Sequence, residues 1–109
     1  MFPIRLIDAN DQLLEAELED RTYYLGMSWN EEGQLWTLSV RDLNKQVLIS
    51  GIAVVPNFRL LKQLRSPALP PGDFAVDAPQ DMALGRDAFT SGRAVLYYIE
   101  AGDFEDAAL

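Results

Sequence analysis

Residues 22–40, TYYLGMSWNEEGQLWTLSV, hold the pattern that decides the fold. Tyr23, Leu25, Met27 and Trp29 occupy every second position going into the turn NEEG. Trp36, Leu38 and Val40 do the same coming out of it. Strand side chains point to alternate sides, so a period of two gathers these seven on one face. Gly33 stands where a hairpin loop of three to five residues wants a residue tolerating positive φ. The stretch predicts a β-hairpin with an aromatic face. Trp29 and Trp36 admit two uses, a cross-strand pair covering the core or a platform for a ligand, and the former is the commoner.

Upstream, residues 13–20 (LLEAELED) are good helix formers by propensity. Their pattern overrides propensity: Leu14, Ala16 and Leu18 alternate with Glu15, Glu17 and Glu19, which predicts a strand with three glutamates on its solvent face. FPIRLI, residues 2–7, reads as an edge strand with Pro3 near its start, where a missing N–H does least harm. Between them, Asp8, Asn10 and Asp11 resemble calcium ligands, but the glycine and distant glutamate of an EF-hand are missing, and a polar turn is the plainer reading.

Downstream, VLISGIAVV (residues 47–55) is apolar at both alternating sets of positions, which predicts a strand buried on both sides. Gly51 in its middle predicts a bulge or bend. PNFRLLKQLRSPALPPG follows at 56–72, with Leu60, Leu61 and Leu64 on one side and Arg59, Lys62 and Arg65 at spacing three on the other. That spacing predicts a short helix around 58–65, ended before Pro67. A stiff turn leads to a strand at 73–77, and residues 78–92 read as an exposed loop with one helical turn. GRDAFTSGR (85–93) lacks the spacing of a phosphate loop, and RAVLYYI (93–99) returns as a strand. The expectation is an all-β domain, a small barrel or sandwich of six to seven strands, over 1–101, with an acidic tail at 102–109.

Composition narrows the chemistry. Of 109 residues 49% are hydrophobic and 24% charged, a globular balance for one domain. There is no cysteine and no histidine. Disulfides, thiolate or imidazole metal sites, cysteine nucleophiles and Ser-His-Asp triads are therefore excluded. Paired carboxylates, lysine or a borrowed metal remain, and no catalytic, metal or cofactor residue is expected. No apolar run approaches the ~20 residues of a membrane span, and no secretion signal is recognisable, so a soluble protein of the cytoplasm is expected. The formal charge of -8 is unevenly spread: residues 1–42 and 73–109 each carry -6, whereas 43–72 contain Lys45, Arg59, Lys62 and Arg65 and no acid. Acidic flanks argue against nucleic acid as the main partner and suit docking to complementary protein surfaces.

Several of these segments also share a pattern of proline and glycine. LWTLSV (35–40) is followed by G-x-x-x-V-P at 51–56, the leucine pair 60–61, P-x-L-P-P-G at 67–72, and RAVLYY at 93–98. In this the chain resembles the plug-like proteins of contractile-tail bacteriophage baseplates, described from a cyanophage, over roughly residues 12–99. The resemblance implies a non-enzymatic structural protein of the virion tail baseplate, assembled in the bacterial host cytoplasm. It would sit where the tail tube meets the hub and spike proteins, which become the expected partners, with homo-oligomerisation an open possibility. On that reading Arg59, Lys62 and Arg65 are the candidate partner-binding residues, against the plainer reading of a solvated helix face. One alternative is a small β-barrel binding module for a peptide or small ligand, using Trp29, Trp36, Tyr97 and Tyr98 around a pocket. Another is a carboxylate glycosidase, which needs two acids about 5–10 Å apart in a cleft. The acids here fall on strand faces and turns, which disfavours it.

Overall fold

The computed structural model describes residues 1–61, 66–79 and 83–103. Seven strands carry the chain: β1 (Phe2–Ile4), β2 (Asp11–Leu18), β3 (Arg21–Asn30), β4 (Leu35–Arg41), β5 (Val47–Ala53), β6 (Asp73–Asp77) and β7 (Val95–Ile99). They form two antiparallel sheets, a four-stranded one in the order β2-β3-β4-β5 and a three-stranded one in the order β1-β7-β6. The sheets face each other as a sandwich, and the barrel alternative is not realised. Tyr23, Leu25, Met27, Trp36, Leu38 and Val40 of the larger sheet are buried in one core with Ile4, Phe74, Val76, Leu96 and Tyr98 of the smaller.

The aromatic hairpin forms as expected, with Trp29 opposite Trp36 and Met27 opposite Leu38. Its turn differs in one residue. The Asn30 side chain accepts the Gly33 N–H at 2.9 Å, and the positive φ falls on Gln34 at 53° rather than on Gly33. An Asx turn at Asn30 holds the start of the loop, so the left-handed residue comes one position later. The strand reading of 13–20 also holds, with Glu15 and Glu17 exposed and Leu18 fully buried. Glu19 does not join them. It and Asp20 form a two-residue turn with φ of 51° and 68°, the geometry that matches the twist of a hairpin.

The largest correction concerns VLISGIAVV. β5 is the last strand of its sheet rather than a central one, with Val47 51% and Val55 42% exposed. Its two apolar faces reflect a change of phase. Val40 opposes Ile49 and Leu38 opposes Ile52, so two residues of β5 face the single Ser39 between them. Gly51 supplies the bulge at φ 71°. The bulge brings Ile49 and Ile52, three apart, onto one inner face, where both pack partly buried against the core. The strand buried on both sides is instead β6, where Asp73, Phe74, Ala75 and Val76 are all buried.

The segment after Pro56 explains why. Asn57 N–H donates to Val76 O and Leu60 N–H to Phe74 O, both at 2.9 Å, so this segment runs along β6 and covers its edge. Backbone groups bonded to a strand are not available to a helix. Residues 58–61 form bends and turns, the described residues contain no α-helix, and the rest of the expected helix (62–65) lies outside them. After β7 the described chain ends in a 3-10 turn, Ala101–Asp103, whose Asp103 binds the N-terminal amine at 2.6 Å. The remaining residues of the expected acidic tail lie outside the described part.

Candidate docking surface

Of the three cations expected to face a partner, Lys62 and Arg65 lie outside the described residues. Arg59 is placed by its neighbour across the chain. Its Nε donates to Asp73 Oδ2 at 3.3 Å, and only 20% of its side chain is exposed. Asp73 is fully buried, and its Oδ1 accepts the N–H groups of Leu61 and Phe74 at 2.7 Å each. A buried carboxylate is tolerable only with such charge-assisted bonds. This cluster pins the turn at 59–61 to the start of β6.

Beside it, Gly72 closes the PPG turn. A Cβ there would lie 2.0 Å from Ile99 O and 2.5 Å from the Tyr98 hydroxyl, so close approach requires glycine, not a positive φ. Gly72 N–H donates to the Tyr98 hydroxyl at 2.8 Å, and that hydroxyl donates to Glu19. Glu19 also accepts the Ala101 N–H at 3.2 Å. Burial, and then the bond to Glu19, raises the Tyr98 pKa above its ordinary value of 10.0. The β2–β3 turn of one sheet is thereby tied to β7 of the other. Sequence alternation put Glu19 on a solvent face, and nothing in the chain before folding signals its partner.

Between these clusters lies an open groove of about 670 Å³ whose walls include Arg21, Arg59, Pro67, Leu69, Pro70 and Pro71. Both guanidinium groups are engaged by the fold, Arg59 with Asp73 and Arg21 Nη1 with Pro67 O at 3.4 Å. The groove is open to solvent, and prolines form much of its wall.

The other candidate residues do not converge. Trp36 is buried, donates from Nε1 to Gly85 O at 3.0 Å, and meets Trp29 at 5.4 Å and the edge of Phe89 at 6.0 Å between ring centroids. Arg86 lies over its ring at 5.5 Å. Tyr98 is buried under Phe2 and Phe74, while its neighbour Tyr97 points to the opposite face of β7. Four aromatics placed so cannot line one pocket. Asp8 and Asn10, weighed as calcium ligands, both bond to Arg86. Among the described residues no three acids group as a metal site.

A family model described as "Cyanophage baseplate Pam3 plug gp18" matches residues 1–101. The chain belongs to the cyanophage baseplate plug family. No curated protein matches it. Membership supports a structural role in the phage tail baseplate, and a baseplate plug implies contact with other baseplate or tail proteins. The match also takes in β1 and the start of β2, which the motif resemblance left aside.

Proposed function

We propose that this plug-family chain is a non-enzymatic docking piece seated between the tail tube and the hub and spike proteins, assembled in the host cytoplasm with the rest of the baseplate. The observation that carries the reading is the family match over residues 1–101. The physical character of the chain supports it: charge segregated into one acid-free stretch, 43–72, between two acidic flanks. Arg59, Lys62 and Arg65 belong to that stretch and are its contact residues toward acidic partner surfaces. Arg59 contributes through the groove wall while its bond to Asp73 keeps the segment in place.

The test is co-expression with the hub, tube and spike proteins of the same phage, followed by co-elution on size exclusion. Lys62→Glu with Arg65→Glu, which spares the Arg59–Asp73 bond, is expected to weaken association by about tenfold or more at low salt, and less at high salt. Unchanged binding by this double variant would reject the contact residues. Failure of the unaltered chain to bind any of the three proteins would reject the docking role.

A further inference from the structure

The outer face of the larger sheet sorts its charges by strand. Residues directly opposite in paired strands point to the same side, so one row runs Glu15, Tyr24, Arg41 across β2, β3 and β4. The next rows are Leu13, Gly26, Ser39 and Asp11, Ser28, Thr37, while Leu14, Leu25 and Val40 take the core side. Asp11, Glu15 and Glu17 stand exposed along β2. The outward residues of β3, Thr22, Tyr24, Gly26 and Ser28, carry no charge. Beyond them come Arg41 of β4 and Lys45 of the next turn, whose ammonium reaches over the Tyr24 ring at 5.0 Å. None of these charged groups has an ion-pair partner among the described residues. Gly26 leaves a depression of about 250 Å³ between Leu13 and Ser39, and Leu13 stands 48% exposed at its rim.

We infer that this face docks on the same face of a second copy of the chain, the two related by a twofold axis along β3. Half a turn about a line parallel to β3 exchanges the β2 and β4 sides and keeps positions along the strands. Glu15 of each copy then lies over Arg41 of the other, and Glu17 over the turn that carries Lys45. Leu13 comes over the depression at Gly26 and Ser39. The occupant follows from the sorting of charge. An acidic partner is repelled along β2 and a basic one at Arg41 and Lys45; the complement needs cations over β2 and acids over β4. The chain itself, turned over, carries that arrangement, as an isologous interface requires. Arg41 also has capacity to spare: Nη1 donates to Lys45 O at 3.2 Å, but Nε is buried without an acceptor. Strands of seven to ten residues, about 4.8 Å apart, make a face roughly 15 Å by 25 Å. That is about half of the ~800 Å² per partner in a standard interface, so the pairing is weak. It goes beyond the docking role proposed above and uses none of Arg59, Lys62 and Arg65.

Sedimentation equilibrium of the full chain, up to about 1 mM, tests this. Salt of about 0.15 M screens the formal charge of -8 on each copy while contact pairs still act. A reversible monomer–dimer equilibrium is expected. Glu15→Arg or Arg41→Glu alone sets like charges opposite each other twice, and association is expected to weaken by about tenfold or more. Mixing the two variant chains puts opposite charges back at both contacts, so the mixture is expected to pair about as tightly as the parent. Glu15→Arg, at an exposed position, carries the test alone if Arg41→Glu lowers the melting temperature. A chain that stays monomeric throughout, or a dimer indifferent to Glu15→Arg, overturns the inference and leaves the docking role standing. Folded variants whose mixture stays apart overturn the twofold arrangement.

Discussion

Replacing Asp73 with alanine probes the interaction that holds the segment after Pro56 against β6. The carboxylate is fully buried and accepts Leu61 N–H and Phe74 N–H at 2.7 Å and Arg59 Nε at 3.3 Å. Its removal leaves two buried donors unmatched, at about 1–3 kcal/mol each. Breaking a buried ion pair from one side costs about 3–5 kcal/mol. The two figures describe one cluster and are not additive, so Asp73→Ala is expected to destabilise by about 3–5 kcal/mol. Asp73→Asn separates the contributions. Its side-chain oxygen still accepts both amides, but its NH2 faces the guanidinium, and a loss of about 1–3 kcal/mol is expected. Urea unfolding followed by the fluorescence of buried Trp36 gives the midpoints, with the slope m checked for constancy. An alanine variant within 1 kcal/mol of the parent would show that the cluster does not fasten this segment.

Trp36→Ala removes a buried ring and its bond to Gly85 and is expected to cost about 3–5 kcal/mol in urea unfolding followed by far-UV circular dichroism; a near-neutral result would show that the ring does not anchor the core. Gly72→Ala forces a Cβ against Ile99 O and the Tyr98 hydroxyl, and a thermal transition lowered by about 10 °C or more is expected; an unchanged melting temperature would refute the close approach. Tyr98 and, less deeply placed, Tyr23 have raised pKa values, each chiefly through burial. Above pH 10 the unfolded chain releases these protons while the folded chain keeps them, so stability is fully present below pH 10 and falls as pH rises beyond it. Tyr98→Phe is expected to flatten that decline, and equal alkaline slopes for both proteins would refute the assignment.

The strands and their facing sides were legible because a period of two is a local property of the chain. Residues 13–20 show its strength: helix-forming residues are laid out as a strand by alternation alone, and Leu14, Ala16 and Leu18 turn toward the core. The hairpin, the bulge glycine and the final strand were readable for the same reason. The cations Arg59, Lys62 and Arg65 were readable only as charges. Which of them is taken up by the fold depends on Asp73, fourteen residues after Arg59.

By itself, the sequence determined that this is a β protein without histidine or cysteine chemistry, and through its spacing of prolines and glycines it carried the likeness to baseplate plugs. Tertiary structure alone decided which apolar strand is enclosed and which is left at an edge, since β5 and β6 differ in what packs beside them, not in their own pattern. It also turned the first residues of an expected helix, up to Leu60, into a cover for β6 and an expected surface glutamate into the partner of Tyr98. Local pattern records what a residue prefers to contact. Only closure of the two sheets brings distant donors and acceptors within bonding distance, where the cost of leaving buried polar groups unpaired selects among the contacts on offer.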